Sequence, residues 1–308
     1  MDPQLLRSHA ILVEKATRAL EKAVEQNDLG KVYKAMEAGA MIEWARFPNK
    51  SGTYTNTLVQ KTINHGNVKM LRYFLELGAT TVTREKDASL YERALSQNQN
   101  QLDIIQLLMQ HQVKISDSDQ IKMIQKGVDF FNFLKDKNLF SAQTTLGHST
   151  KMPLLFWCTD AATLQGMIDL GCNLHQKISP MKKETAFILD WIIRKMDRKT
   201  MTGLEADNLI STWINNQGPV TVETIKDGVS FLPSETIARL IVACPDYCLT
   251  EKNLQPPKKP ELPKTPAQLI LYYLTDREIL NEVWDLQNKM ILEKQTQISP
   301  LPKKQMHL

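Results

Sequence analysis

The fold is decided by the stretch Val68-Lys69-Met70-Leu71-Arg72-Tyr73-Phe74-Leu75-Glu76-Leu77-Gly78-Ala79. Two apolar pairs one helical turn apart, Met70-Leu71 and Phe74-Leu75, fall on one face of a helix. Gly78 follows at the position where helices often end in the left-handed conformation, which glycine adopts without a Cβ penalty. The stretch therefore predicts an amphipathic helix over 68–77 that is closed by a glycine turn.

The same pattern returns along the chain, at 31–40 and again at 163–172, each time with apolar residues followed by a glycine. The turn position can be followed at Gly39, Gly78, Gln112, Asn138, Gly171 and Gln217, with Cys244 and Gln287 as further candidates. Successive turns lie 26 to 46 residues apart. A pattern that recurs at such intervals is typical of proteins built from stacked helical repeats.

Each unit is predicted to contain two helices. A short helix over 58–64 precedes the turn His65-Gly66-Asn67, and the longer helix over 68–77 follows it. The spacing between units is irregular because some of them carry insertions. The turn-rich segment 46–52 is one, and the proline-rich segment 255–264, which cannot continue a helix, is another.

These units resemble ankyrin repeats, in which the first helix opens with Thr-Pro-Leu-His and the second ends in Gly-Ala. Thr265-Pro266 matches that opening, and it is matched in part at 57–60, 152–155 and 185–189. The family's His is missing from its place, so the hydrogen bonds that it makes between repeats must be absent or replaced. The resemblance covers about two thirds of the chain, over 17–115, 151–218 and 265–288.

The resemblance implies an all-α, ankyrin-like helix-pair solenoid of about six to eight divergent repeats. The predicted organisation is an N-terminal capping helix (1–26), repeats (27–115), a degenerate and irregular segment (116–150), repeats (151–218), divergent C-terminal repeats with the proline-rich insertion (219–292) and a disordered tail (293–308).

Composition narrows the class of protein. The chain has 308 residues, of which 42% are hydrophobic, and a net charge of +4, which is too mild to indicate nucleic-acid binding. Of the four cysteines only Cys244 and Cys248 are close together, and no His stands near them, so we expect free thiols in a reducing compartment. There is no secretion-signal core and no run of 18 apolar residues. We therefore expect a cytoplasmic monomer with no membrane span, no cofactor and no metal.

No catalytic motif stands out: there is no glycine-rich phosphate loop and no His-Glu-x-x-His. The segment 147–150 places a Ser beside a His, but a nucleophile also needs a third, orienting group, and a polar turn explains the segment as well. His148, His175 and Cys172 could form a metal group, although ordinary loop residues are the simpler interpretation. Acidic residues ahead of predicted helices, such as Asp119, are expected to act as caps.

The candidate binding surface lies in the loops between units. Trp44, Phe47 and Tyr54 fall outside either helical pattern, and they form either a hydrophobic plug on the stack or an exposed anchor for a partner. Trp, Tyr and Arg are enriched in binding hot spots, and the loops also carry an excess of basic residues. The predicted partner-binding residues are Trp44, Arg46, Phe47, Tyr54, Arg84, Lys86, Lys151, Lys182 and Lys183.

These features favour a non-enzymatic protein–protein interaction module that binds an acidic protein partner through its concave face and loops. The chain also resembles divergent ankyrin-repeat effectors secreted by intracellular bacteria, which implies a host-cell partner and the host cytosol. The alternative is an effector enzyme with an unrecognised catalytic site in 119–150 or 219–264. A third possibility is nucleic-acid binding through the basic loops, which a steep salt dependence would reveal.

Overall fold

The computed structural model describes residues 3–45, 47–48, 55–83, 87–147, 150–178, 186–196, 203–228, 232–244, 285–286 and 289. Over these residues the protein is mostly helical. The chain forms two compact units, Met1–Met123 and Ile124–Leu308.

The helices of the first unit are α1 (Pro3–Glu25), α2 (Leu29–Glu37), α3 (Leu58–Asn64), α4 (Val68–Glu76), α5 (Leu90–Leu95), α6 (Gln101–Gln110) and α7 (Asp117–Ile124), whose last residue begins the second unit. They are paired in chain order, because α1 packs on α2, α3 on α4 and α5 on α6. The first members of these pairs, α1, α3 and α5, also pack side by side, and α4 packs on α6. The first unit is therefore a stack of helix pairs in two layers.

The helices of the second unit are α8 (Val128–Asp136), a 3₁₀ helix (Leu154–Trp157), α9 (Ala161–Asp169), α10 (Ile188–Met196), α11 (Gly203–Asn215), α12 (Val222–Gly228) and α13 (Ser234–Ala243). One layer contains the 3₁₀ helix, α10 and α12, which pack in that order. The other contains α8, α9, α11 and α13, each packed on the next. The second unit repeats the two-layer arrangement of the first.

Within the described residues, three short antiparallel strand pairs lie between helices, an addition to the all-α prediction. They are β1 (Phe47–Pro48) with β2 (Thr55–Asn56), β3 (Thr145–Leu146) with β4 (Met152–Pro153), and β5 (Lys177–Ile178) with β6 (Ala186–Phe187). Their registers place Phe47 opposite Asn56, Thr145 opposite Pro153 and Lys177 opposite Phe187. Each hairpin ends one or two residues before the helix that starts the next pair.

The stretch that decides the fold forms the predicted elements. The helix α3 covers 58–64, as expected, and α4 ends at Glu76 with Leu77 as its C-cap. All four residues of its apolar face, Met70, Leu71, Phe74 and Leu75, are buried. The Asn67 side chain accepts a hydrogen bond from the Met70 amide at 2.9 Å, which caps the start of α4.

The six principal turn positions are confirmed as left-handed helix ends. Their φ angles are 87° at Gly39, 78° at Gly78, 56° at Gln112, 56° at Asn138, 90° at Gly171 and 58° at Gln217. At each turn this residue's amide bonds to a carbonyl three residues earlier, and the next amide bonds to a carbonyl five residues earlier. This is the Schellman motif, in which a left-handed residue closes the last helical turn.

The seventh candidate turn, at Cys244, is wrong. Its φ is −78° and its ψ is 117°, so α13 ends in extended backbone that carries no Cβ penalty and needs no glycine. Several other predictions lie outside the described residues. These are the turn at Gln287, the proline-rich segment 255–264, the opening at Thr265-Pro266, His148 and Ser149 of the polar turn, and the tail 293–308.

Where a residue other than glycine has left-handed backbone, replacing it with glycine is expected to raise the free energy of unfolding. We expect Gln112→Gly to raise the free energy of unfolding by about 0.5–1 kcal/mol, because it removes the Cβ that opposes this backbone. The matched control is Gln106→Gly, at an exposed position inside α6, which should lower it by about 1 kcal/mol. Urea unfolding followed by circular dichroism measures both. Two changes of the same sign would contradict the left-handed assignment.

Two helices, α7 and α10, each carry a buried aspartate near their start, and this aspartate accepts hydrogen bonds from a neighbouring helix pair. Asp119 of α7 accepts hydrogen bonds from the Ser116 amide at 3.0 Å and from the hydroxyl of Ser89, which caps α5. Asp190 of α10 accepts from the hydroxyls of Thr221 and Thr224, around the start of α12. These carboxylates therefore tie successive helix pairs together.

Candidate functional site

The loop that follows α2 exposes two large apolar side chains. Met41 is 41% exposed and Trp44 is 54% exposed, whereas Ala40 and Ala45 on either side of them are buried. About half of the Trp44 side chain is therefore open to solvent, between two buried alanines.

This loop is held in place at its start. The Gly39 turn ends α2, and the Met41 amide then donates to the Thr17 hydroxyl at 3.1 Å. Thr17 in turn donates to the Val13 carbonyl within α1 at 2.8 Å. The Trp44 amide donates to the Met41 carbonyl at 3.2 Å, which forms a tight turn. The two exposed side chains thus project from a backbone that hydrogen bonds fix to α1.

The loop after α4 exposes apolar side chains at a comparable place in the next helix pair. Leu77 is 45% exposed and Val82 is 78% exposed. Sequence reasoning identified Trp44 and missed Met41, Leu77 and Val82. The signal that could have found them is an apolar residue outside the helical face and within four residues of a turn glycine, Gly39 or Gly78.

The structure describes only part of the predicted binding set. Trp44 is exposed, Lys151 is exposed beside β4, and Phe47 contributes its backbone to β1. The remaining predicted residues, Arg46, Tyr54, Arg84, Lys86, Lys182 and Lys183, lie outside the described residues. The proposed cluster of aromatic and basic side chains around Trp44 therefore stays a prediction.

A small polar cavity of about 260 Å³ lies where the α3–α4 turn meets the α5–α6 turn. It is lined by His65, Gly66 and residues 97–100, and the Asn100 amide group donates to the Gly66 carbonyl at 3.0 Å. Burial and the nearby Lys61 lower the pKa of His65, which favours its neutral imidazole. The residues that line the cavity supply one imidazole and no carboxylate or thiol.

Other perturbed groups are explained by packing. Burial raises the pKa of the Cys172 thiol to about 11, which keeps it protonated and unreactive at neutral pH. Burial also raises the pKa of Tyr91, whose hydroxyl donates to the Val113 carbonyl at 2.7 Å. Hydrogen bonds from Lys31 lower the pKa of Asp28, which caps α2. None of these three groups lines the cavity beside His65.

Across the described residues, no cluster of three or more His, Cys, Asp or Glu side chains is placed to hold a metal ion. No helix in that part of the chain is long and apolar enough to span a membrane.

The fold defines a class, helical proteins in which successive helix pairs pack in two layers. Comparison with known proteins adds no family to this class: no protein-family model matches the chain, and no curated protein matches it significantly.

Proposed function

We propose that this protein is a non-enzymatic protein-interaction module built from ankyrin-like helix pairs. The observation that carries the proposal is the half-exposed Trp44, which stands beside the exposed Met41 on a loop fixed to α1. Both side chains lie outside the core, so packing within the described residues does not account for their position. A partner that covers them would bury their apolar surface.

The fold supports the ankyrin-like part of the proposal in two ways. The six left-handed turns share one hydrogen-bond pattern, as successive copies of one repeat would. In addition, the third residue of α3, α7 and α10 is a buried polar residue, at the position where the family carries its His; these residues are Gln60, Asp119 and Asp190. Asp119 accepts from Ser89, and Asp190 accepts from Thr221 and Thr224, so these two carboxyl groups join neighbouring helix pairs, a role that the resemblance gives to the missing His.

The energetics favour Trp44 as an anchor. Aromatic side chains dominate the free energy of binding at interfaces, and truncation of a central one costs about 2 kcal/mol or more. Because the loop backbone is already fixed by the bond from Met41 to Thr17, little conformational entropy is lost when a partner orders it. A rigid loop with an exposed Trp is therefore well suited to binding.

We expect Trp44→Ala to weaken the affinity for a captured partner by at least about tenfold. The free energy of unfolding should fall by no more than about 1 kcal/mol, because about half of this side chain is already exposed in the folded protein. The partner is captured from lysate with the full chain and identified by mass spectrometry, and its dissociation constant is then measured with purified proteins.

The matched control is Leu204→Ala, which also removes an exposed apolar side chain, here on α11, and should leave the affinity unchanged. Equal affinity for Trp44→Ala and the unaltered protein would refute the proposed site. Thermal unfolding of both variants separates lost binding from lost structure.

The effector role, the host-cell partner and the acidic character of that partner stay predictions from the sequence. So does the alternative of a catalytic site in 119–150 or 219–264, since residues 245–264 lie outside the described part of the chain.

A further inference from the structure

A second surface lies on the first helix pair, between α1 and α2. It is an open groove of about 410 Å³. Each helix contributes four residues with the spacing i, i+3, i+4 and i+7, which places them in one row along the helix. The rows are Ala19, Lys22, Ala23 and Gln26 on α1, and Lys31, Lys34, Ala35 and Ala38 on α2.

The floor of this groove is made of small apolar side chains. Ala23 is 1% exposed and Ala35 is 5% exposed, so both lie between the two helices, whereas Ala19 and Ala38 are exposed higher on the walls. Alanine methyl groups leave a trough where larger side chains would fill the space. In a stack of repeats, the outer face of a terminal pair is instead expected to be polar.

The rim of the groove is basic. Lys22, Lys31 and Lys34 are all exposed, and none of the lining residues is acidic. Lys31 contacts the Asp28 carboxylate at 3.1 Å and donates to the Gln26 side chain at 3.0 Å. The other carboxylates of α1 and α2 lie outside the lining: Glu14, which pairs with Arg18, and Glu21, Glu25 and Glu37. Positive charge is therefore concentrated at the groove.

We infer that this groove binds an acidic amphipathic helix of the partner protein. The inference rests on the proposed function, since it assigns a second contact to the same interaction module. An alanine floor permits close approach of a third helix, because helices pack at 8–10 Å and small side chains allow the shorter distance. Lysines on both rims match a helix whose apolar stripe is flanked by Asp or Glu.

The dimensions fit this occupant. Each row spans eight residues of helix, or about 11 Å, which corresponds to two turns of a bound helix. Two turns present one apolar stripe to the floor and carboxylates to Lys22 on one side and Lys34 on the other. The lysines also raise the rate of encounter with an acidic segment, an effect that salt screens.

The probe is a fluorescein-labelled synthetic peptide of about 18 residues, long enough for a stable amphipathic helix when bound. It carries an Ala/Leu stripe flanked by Glu, and a second peptide has Lys in place of every Glu. With the full-length protein we expect saturable binding of the Glu peptide by fluorescence anisotropy. The double variant Lys22→Glu/Lys34→Glu should weaken it at least about tenfold and should gain binding of the Lys peptide.

The matched control is Lys69→Glu/Lys114→Glu, which makes the same change in net charge at exposed positions outside the groove. It should alter the affinity by less than about twofold. The inference would be overturned if the Glu peptide shows no saturable binding, or if both double variants lose the same affinity for it. It would also be overturned if the unaltered protein forms a dimer that the groove variant abolishes, because the groove would then hold a second copy of this chain.

The same variants separate this inference from the proposed function. A captured partner that binds more weakly to Trp44→Ala but equally well to Lys22→Glu/Lys34→Glu would overturn the groove inference and leave the proposed function standing. Binding of the Glu peptide as expected, together with a partner indifferent to Trp44→Ala, would overturn the Trp44 site and leave the groove standing.

Discussion

Replacing Asp190 by alanine is expected to lower the free energy of unfolding by about 3 kcal/mol, because hydrogen bonds to a charged group are worth about 1.5–3 kcal/mol each and the orphaned Thr224 hydroxyl stays buried. The carboxylate is 2% exposed. One oxygen accepts from the Phe187 amide at 3.0 Å. The other accepts from Thr221 at 3.1 Å and from the buried Thr224. Alanine leaves all three donors without this acceptor.

The control is Asp169→Ala, which removes an exposed carboxylate at the end of α9 and should change stability by less than about 0.5 kcal/mol. Asp190→Asn keeps the shape and one acceptor oxygen, so its cost should fall between those of the two alanine variants. Urea unfolding followed by circular dichroism measures all three. Equal stability of Asp190→Ala and Asp169→Ala would contradict the network.

The same carboxylate predicts a pH dependence. Burial raises the pKa of Asp190 above its ordinary value of 3.8, although hydrogen bonds from Thr224, Thr221 and Phe187 oppose the shift. The folded state then holds the proton more tightly than the unfolded state. The free energy of unfolding, taken relative to Asp190→Asn, should therefore fall as the pH rises from 3.8 to the raised pKa and level off above it. A rise over that window would show that the pKa is lowered instead.

Local patterns in the sequence predicted much of the fold. The turns at Gln112, Asn138 and Gln217 could be found without glycine because each stands at a fixed distance after a helical apolar face. A Schellman turn depends on residues within six positions of one another, so its signal lies in a short stretch. At Cys244 the helix ends in extended backbone, and nothing local in the sequence distinguishes that ending.

Long-range partners could not be predicted in this way. The resemblance indicated that the hydrogen bonds made by the His of ankyrin repeats are absent or replaced. It did not indicate that Asp119 bonds to Ser89, 30 residues earlier, or that Asp190 bonds to Thr224, 34 residues later. The same limit applies to the surfaces. The alanines between α1 and α2 have the spacing of a core face, and only the packed structure shows that they line an open groove.

Gly218→Ala is expected to lower the free energy of unfolding by about 3 kcal/mol, at the upper end of the usual cost of overpacking a core. A Cβ on Gly218 would lie 2.3 Å from Nε1 of Trp213 and 2.5 Å from its Cε2. The indole cannot easily move away, since it is fully buried and its Nε1 donates to the Pro219 carbonyl at 3.0 Å. The added methyl group must therefore displace either the ring or the backbone that follows α11.

A double-mutant cycle tests this cause directly. Trp213→Leu removes the indole, so Gly218→Ala should cost less than about 1 kcal/mol in that background, and the difference is the coupling energy of the two residues. Gly30→Ala is the matched control, because its Cβ would meet nothing closer than the Asp28 Oδ1 at 3.4 Å. It lies in α2 and should leave stability unchanged or raise it by up to about 1 kcal/mol. If Gly218→Ala costs the same with and without the indole, the close approach of Trp213 is not what requires glycine at this turn.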